Sequence, residues 1–427
     1  MAIGPIQLIL QATPAQRRTL LAAALGWALD AFDAMLYALV LALLMHDLGM
    51  SKTTAGLLGT LTLLASGIGG VLFGFLADRI GRKRALMASI LTYSGCSFAS
   101  GLATSVTTLA AARFALGLGM GGEWNTGATL VAESWPTEFR AKAISIVQSS
   151  WAFGFAAATL VAGPVARYFG WRAVFFVGIL PALLTLWIRR GVPESAMWEQ
   201  RDGQSNAITG SVADPSKDAT TYVSTSFSVL FRRPYRQHTF ALLFFNFFCL
   251  FAWWGLFTWM PPYLSLPASQ GGRGFGVIGT TTLLVVLNLF GMFPGYISFG
   301  WVADALGRRK AFLIYSLAAA LLIPLYAAAH APAFLMTMGT MVAFFGTGLY
   351  SGSGIMGSEI FPTSLRARAL GFTYNGARAM SSVAPLVIGR VGQSKGLGWA
   401  FYLCAGAYLL AALMTTQLPE TRGKNLE

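Results

Sequence analysis

Five charged side chains fall inside long apolar stretches of this sequence: Asp30, Asp33, Arg113, Glu123 and Arg378. A charge placed among apolar residues costs free energy and is usually kept for a function. Asp30 and Asp33 are three residues apart, so on a helix they share one face. At ~1.5 Å per residue they lie about 15–20 Å along that helix. A carboxylate that takes up and releases a proton, with Arg113 offsetting its charge in one state and freeing it in another, would be a proton switch. A structural buried ion pair is the alternative, and the residues leave both open. Glu123 is a further candidate to carry the proton. Arg378 follows Tyr374 and Asn375. It suits a carboxylate ligand, because a guanidinium binds one with two parallel hydrogen bonds. Pairing with Glu123 or an Asp is the competing use. Gln148, Asn288, Trp254 and Tyr350, with Asn125, are polar or aromatic candidates for the same ligand. Such residues also hold helices together.

The elements that must position these groups are apolar blocks at approximately 20–45, 54–77, 85–105, 107–132, 143–166, 172–189, 238–261, 276–302, 311–329, 332–357, 369–389 and 398–417. About 20 apolar residues cross a bilayer as a helix. The 427 residues are 55% hydrophobic and 11% charged, against roughly 25% charged in soluble domains. The expectation is an all-α membrane protein with twelve transmembrane helices. An even count puts both chain ends on one side. With that side inside, 22 of the 30 Lys and Arg fall inside and six outside, and Arg113 and Arg378 lie within spans. Such a bias sets orientation. The net charge of +14 is therefore a topology signal and needs no nucleic acid. The expected location is the plasma (inner) membrane, multi-pass, with cytoplasmic N- and C-termini, as a monomer in the lipid bilayer.

Residues 1–19 lack the short apolar core and small-residue cleavage site of a signal peptide. Cys96, Cys249 and Cys404 sit within apolar blocks and suggest neither a disulfide framework nor a metal site. No nucleotide loop, metal cluster or Ser/His/Asp arrangement is apparent, so no enzyme, catalytic residue or metal is expected. No cofactor is expected either, beyond a proton as coupling ion.

The chain repeats itself. GFLADRIGRKRA at 74–85 matches GWVADALGRRKA at 300–311, and ESWPTEFRAKA at 133–143 matches EIFPTSLRARA at 359–369. Pro193-Glu194-Ser195 matches Pro419-Glu420-Thr421, again 226 residues on. Three matches at one offset predict two six-helix bundles related by a parallel repeat. The bundles would be residues 1–190 and 237–427, joined by a cytoplasmic linker over 191–236. Residues 202–226 of that linker are rich in Ser, Thr, Asp and Gly and read as flexible. Residues 227–236 have room for a short amphipathic helix.

The duplicated G-x-x-x-D-x-x-G-R-K/R turn, with Gly74, Asp78 and Arg82 in one copy and Gly300, Asp304 and Arg308 in the other, resembles the signature loop of the major facilitator superfamily. The resemblance implies a cytoplasmic latch in which these Asp and Arg act as gate residues. Glu133 with Arg140, and Glu359 with Arg366, flank Pro136 and Pro362. They are expected to tie the fourth and tenth helices to the fifth and eleventh. This block resembles the intracellular charge network of sugar porters and their metabolite-symporter relatives, and PETRGKNLE at 419–427 resembles their C-terminal signature. Arg113, Gly117 and Gly119 form the R-x-x-x-G-x-G pattern that sugar porters carry, and the resemblance pairs Arg113 with Asp33, which follows Phe32. LDAFD at 29–33 and GMGGEW at 119–124 resemble the sialate and carboxylate proton symporters more closely. One departure matters: 244–259 read FFNFFCLFAWWGLFTW where sugar porters are Gln-rich, which disfavours a hexose.

What the resemblance implies is proton-coupled symport of a small organic anion by alternating access. Protonation of Asp33 would compensate the charge of the substrate. A proton-coupled drug or metabolite exporter is the first alternative, although Gly163-Pro164 followed by Val165-Ala166 matches the exporters' glycine signature only in part. A transporter-like nutrient sensor is the second, and 190–236 offers no evident docking domain.

Overall fold

A computed structural model describes residues 11–195, 198–199 and 227–422. Within its helices, the side chains of Asn125 and Arg366 lie outside what is described. So do most of the expected linker and the last five residues of the C-terminal signature.

The twelve apolar blocks become helices, each starting where the local chemistry permits. The first is α1 (Pro14–Asp47), where Thr13 and Gln16 cap each other's backbone N–H and Pro14 occupies the first turn. Ser51 caps α2 (Lys52–Ile80) and Ser105 caps α4 (Val106–Ser134). Between them runs α3 (Arg82–Gly101). Next, α5 (Thr137–Val177) breaks at Gly170, whose φ is 79°, and the sixth pass continues into α6 (Pro181–Gly191). In the second half α7 spans Arg236–Ser265. The next pass, α8, comprises Val277–Val286, a π-helical stretch Leu287–Met292 and Phe293–Leu306. Then follow α9 (Arg308–Ala328) and α10 (Pro332–Ile360). The pass α11 comprises Thr363–Leu370, a second π-helical stretch Gly371–Asn375, Gly376–Ser381 and Ala384–Lys395, and α12 is Leu397–Met414. Among the described residues there is no strand. Residues 227–236 form only a short 3₁₀ turn, Phe227–Phe231, before α7 begins, so the amphipathic helix expected there is absent.

Eight described stretches are long and apolar enough to cross a membrane unaided: α1, α2, α5 with α6, α7, α8, α9, α10 and α12. The passes that fall short are α3, α4 and α11. They are the ones that carry buried serines, Arg113 with Glu123, and Arg378. Their polar side chains are buried against other helices: Ser89, Ser94, Ser97, Arg113, Glu123 and Arg378 are all buried. A polar helix is tolerated at membrane depth when protein rather than lipid surrounds those groups.

The first six helices pack chiefly on one another, as do the last six. The two sets meet along α2–α11, α1–α7 and α5–α8. At the ends of α2 and α11 remote from the duplicated turns, a side chain on Gly56 would strike the Pro385 carbonyl and Leu386, and one on Gly389 would strike the Lys52 carbonyl and Trp259. Lys52 crosses this seam. Its backbone N–H donates to Gln393 Oε1 at 2.9 Å, and its Nζ donates to the carbonyls of Gln270 and Gly392 at 2.7 and 3.4 Å. The other end holds a cleft of about 380 Å³ between α2, α4 and α11, lined by Gly74, Asp78, Arg82, Thr129 and Asn375 among others.

Candidate functional site

At the duplicated turns the two halves build the same cluster twice. Arg82 donates from Nη1 to Asp78 at 2.9 Å and from Nη2 to Glu133 at 3.1 Å. Arg308 does the same with Asp304 and with Glu359, the latter at 3.1 Å. Glu133 therefore pairs with Arg82 and not with Arg140, whose Nε is buried without a partner. The expected tie between the fourth and fifth helices gives way to a tie between α3 and α4. Arg82 wins because it already lies at the helix start facing α4, whereas Arg140 begins the next helix. Glu359 likewise takes Arg308, and Thr421 also donates to it.

Sequence reading missed the carboxylate that closes each cluster. Glu194 accepts from the backbone N–H groups of Arg82 and Lys83 at 2.9 and 3.1 Å, and Glu420 accepts from Arg308 and Arg309 at 2.9 and 3.2 Å. Each carboxylate thus caps the positive end of a helix whose start has no side-chain cap of its own. Gly81 and Gly307, with φ of 96° and 100°, make that approach possible. A side chain at either would collide with the capping carboxylate. The signal was in the sequence, as the third match of the repeat. Burial raises the energy of the Glu420 carboxylate, but the N–H groups of Arg422, Arg308, Arg309 and Thr421 outweigh it and hold its pKa below the usual range.

At mid-depth lie the five charges singled out above. Asp30 and Asp33 are fully buried. Asp33 Oδ1 accepts from Ser97 of α3 at 2.8 Å, while its Oδ2 and both oxygens of Asp30 have no partner. Glu123 is equally orphaned, its carboxylate lying against Gly26 one turn before Asp30. Arg113 is not in ion-pair contact with Asp33. Its Nε and Nη1 are unpartnered, and its guanidinium stands 4.8 Å from the centre of the Tyr37 ring, a cation–π arrangement. Tyr37 lies one turn beyond Asp33 and was not singled out in the sequence. Arg378, 7% exposed, makes no ion pair with any described carboxylate, yet Asp30 and Glu123 both lie within its electrostatic reach.

Arg378 opens on an aromatic cavity of about 30 Å³, lined also by Trp27, Gln148, Trp151, Trp253, Trp254, Tyr296, Tyr350 and Tyr374. Trp27 and Trp151 lie 4.8 Å apart, and Trp151 and Trp253 5.6 Å, so the cage spans α1, α5 and α7 and joins the halves. The indole N–H groups of Trp27, Trp151 and Trp253 are buried without acceptors. Gln148 hydrogen-bonds Tyr296, and the Tyr350 hydroxyl donates to the Cys249 carbonyl at 2.9 Å. Of the expected ligand residues, Tyr374, Gln148, Trp254 and Tyr350 join Arg378 here. Asn288 does not: its amide donates to the Leu284 carbonyl of its own helix at 2.8 Å. Asn375 faces the cleft near the charged turns. Trp27, Trp151, Trp253 and Tyr296 were missed. Trp27 and Trp253 stand 226 residues apart, so the repeat offered a signal for that pair.

A family model described as Major Facilitator Superfamily matches residues 23–281 and 272–426. The sialic acid transporter NanX of Escherichia coli is 33% identical over 419 residues, covering 96% of both chains. The cis,cis-muconate transport protein of Acinetobacter baylyi is 30% identical over 391 residues, covering 90% of each. A crystal structure of a D-xylose-proton symporter superposes with a TM-score of 0.75 at 20% identity, over 96% of this chain and 99% of that one.

Proposed function

The chain belongs to the major facilitator superfamily, a family of membrane transporters, and from that premise we propose that it is a proton-coupled symporter of a small organic anion. The observation that carries this reading is Arg378: a buried guanidinium with no ion-pair partner among the described residues, facing a cage of aromatic rings with unused N–H donors. A carboxylate could take both Arg378 donors while its carbon skeleton packs on the tryptophans. The transport proteins for sialic acid and muconate, both acids, support the same class.

Charge balance supports the coupling. Three buried carboxyls, Asp30, Asp33 and Glu123, face two guanidiniums, Arg113 and Arg378. With all five ionised the cluster carries one excess negative charge. An arriving carboxylate adds another, and a charged cluster at membrane depth is costly. Protons taken up with the substrate remove that cost and let the loaded carrier reorient. The cytoplasmic face is then the one bearing the duplicated turns, and both chain ends lie there.

The test is uptake into proteoliposomes of a panel of labelled organic acids that includes cis,cis-muconate and sialic acid, with and without an inward proton gradient. Accumulation of an acid above equilibrium that collapses with a protonophore is expected. Accumulation indifferent to the gradient would remove the proton from the reading. Transport of neutral or cationic compounds alone would remove the carboxylate and favour the exporter alternative.

A further inference from the structure

Asp33 lies apart from the aromatic cage. It is fully buried and does not line the aromatic cage, where Arg378 and its neighbours sit. Its carboxylate is enclosed by Ser97 of α3 and by Gly178 at the end of α5. Asp30 and Glu123 do not line the cage either, but both are close enough to Arg378, which does, to share its field. If Asp33 is to be protonated and deprotonated, something must pass the proton between these two places.

One side chain is within electrostatic reach of both. Tyr93 of α3 is fully buried, and its hydroxyl has no hydrogen-bond partner. It stands one turn before Ser97, which donates to Asp33. Its backbone packs on Gly119 of α4, one turn before Glu123; a Cβ on Gly119 would lie 2.7 Å from Tyr93 N. Ser89 fixes the same register by donating to the Gly119 carbonyl at 2.7 Å. Glu123, Asp30 and Asp33 are all within electrostatic reach of the ring oxygen. The charged groups around it are thus Asp30 and Asp33 from α1 and Glu123 from α4. Arg378 acts in turn on Asp30 and Glu123, and Arg113 on Asp33. A buried hydroxyl with no partner forgoes a hydrogen bond it would make in water, so an idle phenol here would be a standing penalty among three acids.

We propose that Tyr93 is the proton relay between the Asp30–Glu123 pair beside Arg378 and the enclosed Asp33. The ring oxygen accepts a proton from a carboxylic acid on one side as its own proton passes to a carboxylate on the other. The donor acid's O–H and the phenol's own O–H break, a new phenol O–H and the acceptor's O–H form, and the phenol ends neutral. This rests on the proton-symport reading above and assigns Tyr93 a positioning and transfer role, with no contact to substrate.

The experiment follows the carboxyl bands by infrared difference spectroscopy after a pH jump, on purified full-length protein in nanodiscs with no substrate present. The Asp33 band is identified by its loss in Asp33→Asn. In the wild type it should rise together with the bands of Asp30 and Glu123. In Tyr93→Phe, which keeps the ring, the Asp33 band should rise at least tenfold more slowly while the other two keep their rate. Tyr93→Met serves the same comparison if the Phe variant does not fold. An Asp33 band that rises at the wild-type rate in the folded variant overturns the relay. So does the absence of any Asp33 band between about pH 4 and 9. Uptake assays on the same purified proteins reconstituted in proteoliposomes separate the two ideas: gradient-independent uptake by the wild type defeats the symport reading whatever the band kinetics show.

Discussion

At the scale of single residues, the proposed roles fall where polar groups are buried without partners among the described residues. Arg378→Lys keeps the charge but replaces a planar fork of donors with a point. Charge-assisted hydrogen bonds are worth roughly 1.5–3 kcal/mol each, so losing one of two should raise the dissociation constant of a carboxylate substrate by about tenfold to a hundredfold. Equilibrium binding measures this, and Arg378→Ala should be worse. If Arg378 serves only to neutralise Glu123, the double change Arg378→Ala with Glu123→Ala will restore binding; persistent loss supports a ligand role. Asp33→Asn should abolish uphill, proton-driven uptake and leave exchange of preloaded substrate measurable, because an amide still hydrogen-bonds but cannot cycle a proton. Normal accumulation by that variant would shift the coupling role to Asp30 or Glu123.

At the scale of elements, the duplicated turns tie helices together within each half. Asp78, Arg82, Glu133 and Glu194 join α2, α3, α4 and the segment after α6, and the second half repeats the arrangement around Arg308. Each half is thereby braced as a unit that can move whole. The Glu420 cap has a definite pH signature. Its pKa in the folded protein lies below that of a free glutamate, about 4.3. The stabilisation is therefore complete above that unfolded value and is lost as pH falls through the lower folded one. Glu420→Gln should lower the melting temperature at pH 7, and the gap to wild type should narrow on acidification below about pH 4. Thermal melts at both pH values check this; a gap that widens in acid would contradict the capping role. Asp78→Asn, which removes one bond of the same cluster, should slow cycling while leaving substrate affinity unchanged.

At the scale of the whole molecule, the two halves meet at a seam of close packing and hydrogen bonds. The seam at the end remote from the turns is closed by Gly56 and Gly389 packed against backbone and by Lys52 reaching across to Gln270, Gly392 and Gln393. The Gly392 carbonyl ends a helix, so the ammonium also sits at the negative pole of α11. Alternating access requires this seam to part. Lys52→Met should therefore favour the state open at that end. A cysteine at Thr281, which lines a cavity of about 920 Å³ there, should react faster with a membrane-impermeant maleimide in the variant than in the wild-type background. Equal rates would show that the glycine packing alone holds the seam.

The sequence by itself determined the number of helices and their division into two repeated halves. These are carried by local features: runs of apolar residues and motifs repeated at one offset. It also determined that the halves differ, since Asp30, Asp33, Arg113 and Glu123 have Leu256, Trp259, Gly339 and Leu349 at the repeat offset. Only the tertiary structure decided which partner each charge takes. Glu133 meets Arg82 instead of Arg140, Arg113 meets the Tyr37 ring instead of Asp33, and Tyr93 falls among three acids. Such contacts depend on the rotation and depth of each helix against its neighbours. In a span whose apolar residues are spread around the whole helix, such as α1 or α4, no periodicity in the residues states which face turns inward, so packing alone settles it.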